Sequence, residues 1–127
     1  MSPERVSPLL RWTVAAQGGF YLLTGIWPLV SLETFELVTG PKTDDWLVQT
    51  VGVLAAVIGL ALLIGARRAR PSLETSALGS LAALGFASVD LVFVLGGRIS
   101  AIYLADAVVE MAFLAAVLLG AFTARRG

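Results

Sequence analysis

Apolar residues gather along the chain into four long runs, 12–30, 46–65, 75–95 and 101–122, parted by short stretches rich in Gly, Pro, Ser and charge. At about 20 residues each, the runs are long enough to cross a hydrocarbon core of roughly 30 Å. The first begins at Trp12 and is interrupted by Gln17, Gly18, Gly19, Tyr21 and Thr24. Its length, its mid-run polar residues and the lack of a small-x-small site mark it as a span rather than a cleaved signal. Pro28, near its far end, withdraws the amide that would bond the Thr24 carbonyl. The next stretch, SLETFELVTGPKTDD, has Ser31 as a helix cap, Leu32, Phe35 and Val38 on one face, and Gly40-Pro41 as a stop. It predicts a short amphipathic helix lying in the interface.

The second run starts at Trp46 and is closed by Arg67, Arg68 and Arg70. Its Gly52/Ala56 and Ala55/Gly59 pairs give the small-xxx-small spacing that lets helices approach closely. Pro71-Ser72 separates it from the third run, Gly96-Gly97 turns the chain, and Ser100 is placed to cap the fourth. The expected fold is all-α: a four-helix transmembrane bundle, with a short interfacial helix after the first span, forming one polytopic domain over residues 1–127. Trp46–Arg68 also aligns with Tyr103–Arg126, Gln49 falling on Asp106, so an internal two-hairpin repeat is a candidate.

Composition narrows the function. The chain is 57% hydrophobic and 14% charged, against roughly 45–50% and about 25% in soluble domains. Nine basic and nine acidic residues give zero net charge, which does not favour a nucleic-acid surface. With no Cys and no His, thiolate catalysis, Cys-ligated metal and the commonest general base are all absent, so no metal and no cofactor is expected. Arg5, Arg11, Arg67, Arg68, Arg70, Arg125 and Arg126 fall on one side of the four-span topology, against Lys42 and Arg98 on the other. The positive-inside rule then puts both termini in the cytoplasm, with the chain in the plasma (inner) membrane.

The chemistry lies in the exceptions to the apolar pattern. Asp90, Asp106 and Glu110 stand inside spans, where insertion scales charge about 2.5–3.5 kcal/mol for a central carboxylate. Asp106 and Glu110 share a helical face four residues apart. By residue count Asp90 and Asp106 both lie about 5–10 Å below the outer boundary, with Glu110 one turn deeper. Gln17, Tyr21 and Thr24 form a stripe on the first helix, and Trp27 and Gln49 lie at comparable depth to the acids. Together these residues define a candidate polar pocket in the outer half of the bundle. No cation sits within a span to balance it, so the acids are expected to share protons, with Glu110 the exchanging group and Arg98 the candidate counter-ion. The ordinary alternative for Asp90 is a structural bond across helices or to Arg98. For Gln17, Thr24 and Gln49 it is interhelical hydrogen bonding.

The first hairpin, with Arg11, the run Gly19-Phe-Tyr-Leu-Leu-Thr-Gly25 and Phe35, resembles the opening of DoxX-like small bacterial membrane proteins. That resemblance implies a four-helix membrane fold and respiratory-chain or oxidoreductase partners. Small multidrug transporters share the size and helix count but carry their membrane Glu in the first helix, where this chain has no acid. The expected function is binding or transport of a small apolar or cationic molecule at a protonatable site, as a homo-oligomer or beside a partner membrane protein. The alternatives are a membrane enzyme using paired carboxylates as acid and base on a lipid-like substrate, and an accessory subunit.

Overall fold

The computed structural model describes residues 8–126, with side chains described through Thr123. Arg5 lies outside the described residues, as do the side chains of Arg125 and Arg126. The chain is all-α: α1 (Pro8–Val30), α2 (Leu32–Thr39), α3 (Asp45–Gly65), α4 (Leu73–Leu95) and α5 (Tyr103–Arg126). Three of these, α3, α4 and α5 over Tyr103–Thr123, are each long and apolar enough to cross a membrane. The first run joins them only when α1 and α2 are taken as one span bent by 115°. The protein is therefore a small multi-span helical membrane protein with three or four candidate spans.

The reason α1 is less apolar is its place in the bundle. It packs on every other helix, and its buried face carries Gln17 and Tyr21 beside Leu10, Val14, Gly18, Gly25 and Pro28. Polar groups can sit on this helix because neighbouring helices shelter them from lipid. By contrast α3, α4 and α5 turn most of their apolar side chains outward, where lipid would cover them.

The small-xxx-small residues of α3 meet glycines of α1, running antiparallel. A Cβ on Gly25 would fall 2.5 Å from the Gly52 carbonyl oxygen, and one on Gly18 would fall 2.8 Å from that of Gly59. No real side chain fits at such distances, so this backbone seam exists because these positions are glycine. The other tight pair is α4 with α5, and α1 lies between the two pairs.

Short-range chemistry turns the chain where the polar breaks predicted. After Pro28, Ser31 leaves helical geometry and its Oγ accepts from the Thr34 amide, starting α2. Trp27 Nε1 donates to Thr34 Oγ1 at 2.9 Å, and its ring stands edge-on to Phe35 at 5.3 Å, holding the bend. Ser72 caps α4 by accepting from the Thr75 amide at 3.1 Å. At the start of α5, Ser100 accepts instead from Ile102 and Tyr103, so the helix begins at Tyr103, two residues later than its polar break suggested.

The two ends of the bundle are distinct. Arg11 Nε donates to the Ala66 carbonyl at 3.0 Å, and Gly120 lies against Leu10, so the start of α1, the α3–α4 turn and the end of α5 come together. At the opposite end Gly40 approaches Ser100, and Lys42 Nζ lies over the Tyr103 ring at 5.3 Å.

Candidate functional site

Three helices bring the intramembrane polar residues together. From α1, Gln17 Nε2 donates to the Gly79 carbonyl of α4 at 2.8 Å and to Tyr21 Oη at 3.0 Å. A carbonyl can only accept, so this bond orients the amide. Both amide hydrogens are then engaged, and the Tyr21 hydroxyl proton is free to donate to Glu110 Oε1 on α5, at 2.5 Å. The chain of bonds has one direction, ending on the carboxyl group. Glu110 is 2% exposed and Gln17 fully enclosed.

Beyond Glu110 the row continues through acids. The Asp106 carboxyl neighbours both Glu110 and Asp90, and its charge acts on each of them. Carboxylate oxygens only accept, so these side chains can bond one another only through a shared proton. Asp106 is half-buried and Asp90 is 5% exposed. No N–H or O–H of the described residues reaches Asp90 Oδ2, nor Gln17 Oε1. Buried acceptors left without a donor are uncommon, because the lost hydration is uncompensated.

Inward of the acids the walls are aromatic. Phe86 and Phe113 meet the Tyr21 ring edge-on at 5.2 and 6.4 Å, and Phe20 stacks obliquely on Phe113 at 5.8 Å. The reading of polar exceptions passed over these residues and the Gly79 carbonyl. Their signal is spacing: Phe86 lies one turn from Asp90 and Phe113 one turn from Glu110, on the same helices.

Asp90, Asp106, Glu110, Gln17 and Tyr21 thus converge as expected, while other candidates go elsewhere. Gln49 is exposed on the outer side of α3, which removes the facing of Gln49 and Asp106 that a two-fold repeat required. Thr24 is half-buried and bonds the Phe20 carbonyl of its own helix at 2.7 Å. Trp27 belongs to the α1–α2 bend rather than to the acids. Arg98 is exposed, and the charges acting on Asp90 are those of Asp106 and Glu110. The Gly96-Gly97 turn, with Gly97 at φ 72°, bonds the Arg98 amide back to Phe93 and leaves its side chain at the rim. Lys42, at the same end of the bundle, lies over the Tyr103 ring and its Nζ donates to Thr39 and Gly40. Among the described residues, no group of three His, Cys, Asp or Glu side chains is placed to hold a metal ion.

A shallow apolar groove between α4 and α5, from Leu73 and Ser76 to Leu118 and Phe122, opens at the other end of the bundle, away from the acids. No family model, no curated protein and no solved structure matches the chain, so the resemblance of its first hairpin to DoxX-like proteins rests on the residues quoted for it.

Proposed function

We propose that this chain binds a small cationic molecule at the Asp90–Asp106–Glu110 row and exchanges it for protons, as a transporter would. One observation carries the reading: Asp90, 5% exposed, presents Oδ2 without a donor inside a row of carboxyls. A buried anionic row is costly to leave uncompensated, and it can be compensated in two ways. Protons can bridge the carboxyls, or a cation can enter and displace them. The groups that face the row are Tyr21 from α1, Asp90 from α4, and Asp106 and Glu110 from α5. Half-buried Asp106 gives the row its opening toward the end that holds Lys42 and Tyr103. An apolar ligand would offer the carboxyls nothing in exchange for those protons. An accessory role, with acids awaiting a partner helix, is disfavoured because this chain's own helices already enclose Asp90 and Glu110.

The test is flux. Liposomes containing the protein, with an imposed pH gradient, should accumulate a small organic cation, and collapse of the gradient should release it. Equal accumulation by the Asp90→Asn, Glu110→Gln double variant would remove the row from the mechanism.

A further inference from the structure

We infer that the occupant of the acid row is a cation bearing N–H donors, of the primary alkylammonium class, rather than a quaternary ammonium or a metal ion. This rests on the cation-binding reading and goes beyond it, because charge alone does not choose among cations. The choice comes from an inventory of donors. Tyr21 has one hydroxyl proton, and it points at Glu110 Oε1. Gln17 has two amide hydrogens, and they point at Gly79 and Tyr21. Lys42 Nζ is engaged by the Thr39 carbonyl, Thr39 Oγ1 and the Gly40 carbonyl. Arg11 bonds Ala66 at the far end, and Arg98 is exposed. Once the protons shared among the carboxyls leave in exchange, the site holds acceptors in excess, and among the described residues no N–H and no tyrosine or other hydroxyl reaches Asp90 Oδ2.

A complement must bring donors of its own. A primary ammonium carries three, enough to meet Asp90 Oδ2 and the Asp106 carboxyl together. A quaternary ammonium carries none and would leave Asp90 Oδ2 both dehydrated and unbonded. A metal ion would need several ligands converging on one point, and among the described residues no group of three His, Cys, Asp or Glu side chains is so placed. The aromatic rings nearby are turned edge-on to Tyr21, so they do not form an open box of the kind quaternary groups favour.

The experiment compares cations of equal charge, two of them similar in size and one a bare metal ion. The purified protein in nanodiscs is titrated with propylammonium, tetramethylammonium and sodium chlorides, reading heat and, in weak buffer, released protons. Propylammonium should bind at least tenfold more tightly than tetramethylammonium, with proton release. Asp90→Asn should abolish this preference, and its thermal stability without cation should match or exceed the parent's, since the amide can supply a donor itself. Tetramethylammonium binding as tightly as propylammonium would overturn the donor argument while leaving cation binding intact. Sodium equal to propylammonium would overturn it likewise. Heat and proton release absent with all three would overturn the cation-binding reading, and this inference with it. Should Asp90→Asn fail to fold, the comparison of propylammonium with tetramethylammonium on the parent protein still decides.

Discussion

Tyr21 is the residue on which the polar interior turns, because its one hydroxyl accepts from Gln17 and donates to Glu110. Tyr21→Phe strands a buried donor and a buried acceptor together, which costs about 1–3 kcal/mol of stability. Thr24→Val, one turn further on, removes only a bond within α1 and should stay within about 0.5 kcal/mol. Denaturation in mixed micelles followed by circular dichroism separates the two, and equal losses would mean that the Tyr21 bonds carry no stability. Glu110→Gln should keep the fold, since its amide oxygen still accepts from Tyr21 and its nitrogen can donate to Asp106. It should lose proton release on cation binding, however; unchanged release would shift the exchanging role to Asp90 or Asp106. These residues were legible because polar side chains are rare in apolar runs, and their depths follow from counting along a helix. Rotation about the helix axis does not follow from counting. Gln49 therefore shares the depth of the acids yet faces away from them on α3, and Trp27 turns toward Thr34 and Phe35.

For the elements, the decisive contact is the glycine seam of α1 and α3. A Cβ on Gly52 would come within 2.6 Å of the Gly25 carbonyl oxygen, which neither backbone can evade without parting the helices. Gly52→Leu should therefore destabilise by about 1–3 kcal/mol or more, as overpacking does elsewhere. Gly19→Ala is the matched control: a Cβ there meets nothing, and removing a helical glycine should be neutral or mildly stabilising. Thermal unfolding in a single detergent checks both, and a neutral Gly52→Leu would show that the seam is not tightly closed. The small-xxx-small spacing on α3 was visible beforehand, whereas its partner was not, since such a stripe serves a second copy as readily as a neighbouring helix. The break between α1 and α2 was equally visible in Pro28 and Ser31. Its 115° angle depends on Trp27 reaching back to α2, a contact that local propensity does not encode.

Taken whole, the molecule has one end rich in arginine and one end nearly without it, and this asymmetry sets its expected orientation. Arg11, Arg67, Arg68 and Arg70 gather where the start of α1 meets the α3–α4 turn, while Lys42 and Arg98 lie at the other end. Basic residues flanking short turns are retained on the cytoplasmic side, so the arginine end is predicted to face the cytoplasm. The sequence pattern carried this much, because runs of about 20 apolar residues must alternate in direction if all of them cross. The status of α1 was harder to read. Its polar face lowers its hydropathy, yet that face is turned into the bundle and away from lipid. If α1 crosses, reporter tags at either terminus should both read cytoplasmic, and a tag inserted between Lys42 and Asp45 should read the opposite side. If α1 instead rests at the surface with α2, the amino-terminal tag should agree with the inserted one and disagree with the carboxyl-terminal one. The antiparallel glycine seam selects between these outcomes. It holds α1 against α3 from Gly18 to Gly25, and α3 is long and apolar enough to cross the membrane. Close pairing with a helix able to cross favours α1 crossing beside it, and on that ground both terminal tags are predicted on the arginine side.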